Sequence, residues 1–287
     1  MPIDPSIALG AALPEREFEW GASDVLRYHL ALGAGADPTD ARELRYATEV
    51  DLQVLPTFAV VAATLGETAP PRVSYPGIEI DLIKALHGDQ RVDVHRTIPV
   101  EGKARAITRV ADIWDKGSAA VIVTESEVRD LAGDLIWTNT SSVFARGEGG
   151  FGGERGPAAP GRHPSRAPDV VITTSTLPQQ ALWYRLLGDR NPLHSDPAFA
   201  RSAGFPAPIL HGLGTYGIVC KALVDELLDG DVRRVRSFGV RFTGVVYPGE
   251  TLRTAVWADG ERFTVATTVP ERADAPALSA GEFVVTA

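Results

Sequence analysis

Cysteine is nearly absent: Cys220 is the only one in 287 residues. No disulfide can form within one chain, which points to a reducing compartment. A basic cluster is also missing. Asp and Glu number 37 against 28 Lys and Arg, for a net charge of −9. A nucleic-acid partner normally requires a Lys/Arg-rich face, so the sequence predicts none. A small anion needs only a local positive site and stays allowed. The longest apolar runs, such as residues 54–65, fall far short of the roughly 20 residues of a membrane span. The first twenty residues have no basic stretch leading into an apolar core, and the final FVVTA is not an SKL-type tail. Together these absences predict a cytoplasmic chain with no membrane partner.

Hydrophobic residues make up 44% and charged residues 23%, a globular composition. The length suggests two domains, each able to bury a core. Residues 147–168, GEGGFGGERGPAAPGRHPSRAP, are dense in Gly and Pro and read as a linker. A long surface loop inside one domain is the alternative. Strand-like text resumes on both flanks, which favours a boundary. The division is then 1–148, a linker at 149–168, and 169–287.

Residues 118–126 and 135–144 read as two strands around the turn at 132–134. Residues 169–174 read as another. A helix is predicted to open near Thr176 and Pro178, run over 179–187 and stop at Gly188. A short helix follows from Asp196 and Pro197 to Gly204. Residues 213–229 are apolar nearly all round, as expected of a buried helix. Strands are predicted at 235–242, 251–257, 262–269 and 282–286, with a tight turn at 247–250. A helix wrapped by a mostly antiparallel sheet is an α+β layout, the hotdog.

The halves show a faint repeat. YHLALG at 28–33 echoes YRLLG at 184–188, and Leu86-His87-Gly88 echoes Leu210-His211-Gly212. The first copy has Ala34-Gly35-Ala36 where the second has Asp189-Arg190-Asn191. Two copies of one unit, a double hotdog, would explain the length and the linker. Only the second copy keeps chemistry-bearing residues, so one active site per chain is expected.

Those residues are Asp189, Asn191 and His194, in a loop stiffened by Pro192. A carboxylate and an imidazole there could hold one water, one group accepting a proton and the other donating. Such general acid–base catalysis contributes about 10² to 10⁴-fold in rate. Spacing alone also permits two ordinary loop residues. Asp196 before Pro197 reads as a helix N-cap. The six histidines show no close pairing along the chain, so a metal site is the weakest reading.

The segment YRLLGDRNPLHSDPAFA at 184–200 closely resembles the hydratase 2 signature of MaoC-like dehydratases. Ile209-Leu-His-Gly212, and Arg241-Phe242 followed by Val-Tyr-Pro-Gly-Glu, resemble further parts of that family. Tyr75-Pro76, Leu86-His87-Gly88, Asp115-Lys116-Gly117-Ser118 and Gly149-Gly-Phe-Gly-Gly153 resemble the hydratase 2 part of peroxisomal multifunctional enzymes. The resemblance implies reversible (R)-specific hydration of trans-2-enoyl-CoA, an acyl-CoA partner, and no cofactor or metal. It implies that Asp189 and His194 activate water and that Asn191 orients water or substrate. Gly212 would offer its N–H to the thioester carbonyl; a helix start with free N–H groups and no side chain suits that role. His87, Gly88, Lys116 and Phe242 are implied as substrate contacts, with Lys116 as a phosphate partner for CoA. A turn, a solvated charge and a core ring are their bland alternatives, and His211 reads as structural. Leu187 stands where the family often has Ser, which should alter packing and not activity. Rival readings are a hotdog thioesterase and a non-catalytic acyl-binding subunit. The first unit would complete the pocket and accept the acyl tail. A hotdog edge strand often pairs with another subunit, so a homodimer is expected.

Overall fold

The computed structural model describes residues 3–158 and 163–286. Residues 159–162 of the expected linker lie outside that range. Twelve strands alternate with short helical segments: β1 (Arg16–Trp20), β2 (Val73–Tyr75), β3 (Ile78–Ile80), β4 (Ala85–Val94), β5 (Gly102–Asp115), β6 (Ala119–Asp130) and β7 (Leu135–Arg146), then β8 (Val170–Ser175), β9 (Val235–Phe242), β10 (Thr251–Asp259), β11 (Arg262–Val269) and β12 (Ala275–Val285). The helices are α1 (Pro5–Ala8), α2 (Ala22–Ala31), α3 (Ala41–Ala47), α4 (Gln180–Tyr184), α5 (Pro197–Ser202) and α6 (Gly212–Leu228).

Ten strands form one sheet in the order β1-β5-β6-β7-β4-β9-β12-β11-β10-β8. Each half repeats one plan: an edge strand, helical segments, a central strand, then three strands joined in antiparallel succession. The halves meet where β4 pairs antiparallel with β9, Asp89 opposite Arg241 and Asp93 opposite Ser237. This is a double hotdog of α+β class. Its main core draws on both halves, from Trp20 and Tyr28 to Phe238 and Phe283, so the units are fused and do not bury separate cores. A smaller cluster packs α1 and the β2–β3 hairpin against Val110, Ile113 and Ile122.

Helix α6 runs through that core. Tyr216, Ile218, Val219, Cys220, Leu223 and Val224 are all buried, as the all-round apolar pattern predicted. Each large aliphatic side chain removed from water contributes about 1.5–3 kcal/mol. At Gly217 a Cβ would lie 2.7 Å from both Leu32 Cδ2 and the Tyr28 hydroxyl, so glycine lets α6 approach the first half. The first half has no such helix: a short 3-10 turn, Pro56–Val60, packs beside α6 instead.

Several expectations need correction. The echo between Leu86-His87-Gly88 and Leu210-His211-Gly212 is not structural: the former lies in β4 and the latter opens α6. The helix expected at 179–187 is α4 followed by a tighter 3-10 turn, Arg185–Leu187. Thr176 is not its cap, because its hydroxyl donates to the Glu250 carbonyl at 2.7 Å. The last strand begins at Ala275, seven residues earlier than predicted, and is bent by positive φ at Ala280 (48°). The glycine-rich stretch after β7 is tethered. Asp115 accepts from the Gly117, Gly150 and Gly152 amides at 2.7–2.8 Å, which holds its carboxyl below the usual range.

Candidate active site

The catalytic loop starts at a glycine that backbone geometry requires. Gly188 has φ +111°, and a Cβ there would lie 1.9 Å from the Thr64 carbonyl oxygen. The chain turns sharply past the first half and presents Asp189. One Asp189 carboxylate oxygen, Oδ1, accepts the Asn191 N–H at 3.0 Å, and Asn191 Oδ1 accepts the Leu193 N–H at 3.0 Å. Short polar side chains that bond their own backbone two residues on stiffen such turns. Pro192 then opens the 3-10 turn Pro192–His194. Asp196 caps α5 through the Ala198 and Phe199 amides, as expected. Leu187, in the position that departs from the family pattern, is buried, and its carbonyl accepts from the Thr64 hydroxyl at 3.3 Å.

His194 Nδ1 lies 2.9 Å from the Ile209 carbonyl. A carbonyl only accepts, so Nδ1 carries the proton and Nε2 keeps the lone pair. His194 is only 8% exposed, and burial lowers its pKa below the ordinary 6.5 despite the opposing effects of the Asp189 carboxylate and the Ile209 carbonyl. A neutral imidazole with a free nitrogen beside a carboxylate is the arrangement of a proton-accepting pair.

Asp189, Asn191, His194 and Gly212 line one cavity of about 380 Å³, within the range of ligand pockets. Gly212 is the first residue of α6, where first-turn N–H groups lack intrahelical acceptors and the helix dipole favours negative charge. A Cβ on Gly212 would sit 3.1 Å from Phe242 Cε1, so any side chain would press on that ring. The first half also lines this cavity, through Pro71, Val73, Leu82 and His87.

His87 and Phe242 pack edge to face at 4.7 Å and line both this cavity and a neighbouring one of about 490 Å³. Gly88 and Lys116 line only the neighbour. Gly88 has a packing reason: a Cβ would meet Ser142 Oγ at 2.5 Å, and that oxygen accepts the Asp89 N–H. The Lys116 ammonium donates to the Arg155 and Pro157 carbonyls and lies over the Trp114 ring, which ties down the loop beside that cavity.

Sequence reasoning missed two features. Thr64 and the segment around it roof the catalytic loop, a contact between positions over a hundred residues apart that no local pattern announces. The second is a pairing of histidines: Asp189, His194 and His211 offer ligand atoms within 4.8 Å of one another. The His194 and His211 rings stack at 3.7 Å with planes 26° apart. His194 Nδ1 and His211 Nε2 also point at carbonyls, at 2.9 and 3.3 Å.

A double hotdog that sets a carboxylate–imidazole loop in one cavity with a helix-terminal amide belongs to the dehydratase class of that fold. Two family models match: the MFE-2 hydratase 2 N-terminal domain over residues 18–147 and the MaoC like domain over residues 156–274. The chain is 56% identical over 284 residues to Enoyl-CoA hydratase ChsH3 of Mycobacterium tuberculosis, covering 99% of each. It is 44% identical over 268 residues to 3-hydroxyacyl-thioester dehydratase Y of the same organism, covering 90% of this chain and 88% of that one. Among solved structures, the MaoC-like dehydratase of Phytophthora capsici superposes with a TM-score of 0.87 at 30% identity, covering 99% of this chain and 98% of the other. The chain belongs to the MaoC-like dehydratase family, in the group that carries the hydratase 2 N-terminal unit.

Proposed function

We propose that this chain is a hydro-lyase. It adds water across the 2,3 double bond of a trans-2-enoyl-CoA, giving the (3R)-3-hydroxyacyl-CoA, and catalyses the reverse dehydration, in fatty-acid or sterol side-chain metabolism. One observation carries the reading: Asp189, His194 and the Gly212 amide line the same cavity. Asp189 and His194 hold a water, and the neutral His194 Nε2 is placed to accept its proton as the oxygen bonds to C3. Electrons move through the double bond to the thioester oxygen, where the Gly212 N–H meets the growing negative charge. One such donor is worth about 3 kcal/mol in the transition state. The Asp189–His194 pair, now holding the proton taken from water, gives a proton to C2, which restores the carbonyl and returns the pair to its starting state. A rigid pair on one wall delivers water to one face of C3, so one enantiomer forms.

Sites, partners and location follow from the same reading. Asn191 caps the turn through its carbonyl, leaving its NH₂ to orient water or substrate. His87 and Phe242 contact the acyl-CoA. The units are 1–148 and 169–287, the first degenerate and accepting the acyl tail. No metal or cofactor takes part, and the enzyme is a cytoplasmic homodimer, which sedimentation checks. No helix among the described residues is long and apolar enough to cross a membrane.

The pH profile tests the state of His194. Burial places its pKa below the ordinary 6.5, so the neutral base persists as pH falls through that value. The acid limb of kcat/KM should centre below pH 6.5; a limb centred above it would mean that the base is an ordinary or charge-stabilised imidazole. A thioesterase reading is separated by a second assay. Enoyl absorbance should vanish with no release of free CoA thiol, and thiol appearing in step with that loss would replace hydration with hydrolysis.

A further inference from the structure

His211 stands immediately before Gly212, and its side chain is 1% exposed. Three parts of the site meet on it. Its ring stacks on His194, centroids 3.7 Å apart. Its Nε2 lies 3.3 Å from the main-chain carbonyl of Asp189, which makes that nitrogen the donor. Its own carbonyl accepts the Thr215 N–H at 3.0 Å and so forms the first hydrogen bond of α6. The ring also leans on Tyr184, at 4.9 Å between centroids and with the planes tilted by 43°.

We infer that His211 is a positioning residue, whose stacked ring and Nε2–H hold the Asp189–His194 pair at a fixed offset from the Gly212 amide. The inference rests on the hydration reading and goes beyond it, because no atom of His211 needs to touch substrate. The geometry leaves few substitutes. His194 is otherwise held by a single hydrogen bond, to Ile209, which permits rotation of the ring about that contact. A flat, rigid neighbour against its face removes that freedom. The Asp189 carbonyl accepts from His211, which ties the loop to the start of the helix. A displacement of about 1 Å in such a site costs on the order of 10²-fold in rate.

The ring must be neutral to serve in this way. The groups around it are His194 in the stack, the Asp189 carboxylate within 4.8 Å, Arg185 and Tyr184 on the preceding turns, and the Asp189 carbonyl. Burial, the facing His194 and Arg185 all disfavour a proton on it, while the Asp189 carbonyl acts the other way. His211 therefore stays uncharged and does not compete with His194 for the proton drawn from water.

Three substitutions divide the two contacts. His211→Phe keeps a ring over His194 and loses the donor; His211→Gln keeps a donor and loses the stack; His211→Leu loses both. With decenoyl-CoA, the Phe and Gln variants should each lose roughly 10-fold in kcat and the Leu variant roughly 100-fold, scaled from the cost of small misplacements. KM should stay within about two-fold in all three, because the substrate contacts remain. A merely structural residue would lower the folded fraction and leave kcat per folded molecule intact, so active-site titration and circular dichroism accompany the kinetics. Should the Leu variant fail to fold, the near-isosteric Phe variant carries the test. Wild-type kcat per folded molecule in His211→Leu, or in His211→Phe if Leu is unfolded, overturns the inference, as does a change confined to KM. Asp189→Asn and His194→Ala run beside them: full turnover in those two would defeat the hydration reading itself, a separate result.

Discussion

Asp189→Asn and His194→Ala should each lower kcat for enoyl-CoA hydration by about 10² to 10⁴-fold, the usual contribution of a positioned acid or base. Asn in place of Asp189 keeps a side-chain oxygen where Oδ1 now accepts the Asn191 N–H, so the turn survives while the negative charge is lost. Ala in place of His194 removes the Nδ1 bond to Ile209 and the free Nε2 together. The double variant should be little worse than the weaker single one, because groups that grip one water act as a unit. Circular dichroism should show folded protein in every case. Turnover near wild type in either single variant would mean that this pair does not carry the chemistry.

Gly188→Ala should be the most damaging small substitution in the loop. The residue sits at φ +111°, and the added methyl would lie 1.9 Å from a backbone oxygen, Thr64 O, that cannot swing aside. Conformational strain alone costs about 1–3 kcal/mol, and the steric overlap adds to it. Total stability of a domain is about 5–15 kcal/mol, so the melting temperature should fall by about 5 °C or more. Asp189 follows directly and would shift with the backbone, so kcat should fall about 10²-fold in whatever remains folded. Gly133→Ala is the control. That glycine also has positive φ, 95°, but a Cβ there meets nothing within 4 Å. It should lose only the strain cost and keep kcat. Equal behaviour of the two variants would show that contact with Thr64 is immaterial.

The catalytic loop was legible because its chemistry is local. Asp189, Asn191, Pro192 and Asp196 are turn and cap residues spaced as short-range bonds require, and each makes such a bond or opens a turn. The apolar run of α6 was legible for a similar reason, since its burial is written in its own residues. What depends on distant partners was not. β4 carries Gly88 and Asp89 at a break in its register with β7, a composition that reads as a turn. β12 contains Pro276, Gly281 and the bent Ala280, which hide a strand that is fixed by its neighbours β9 and β11. The first-half wall of the cavity, Pro71, Val73 and Leu82, has no chemical signature at all. Nor did the sequence announce the Lys116 contacts with the Arg155 and Pro157 carbonyls, because these lie some forty residues further along the chain.

The most direct measurement is the reaction of decenoyl-CoA in ¹⁸O-labelled water, with chiral and mass analysis of the product. Water activated between a side-chain carboxylate and an imidazole should appear as one ¹⁸O on C3 of (3R)-3-hydroxydecanoyl-CoA, with the thioester intact. Label in a free carboxylate alongside released CoA, or a racemic or (3S) product, would contradict it.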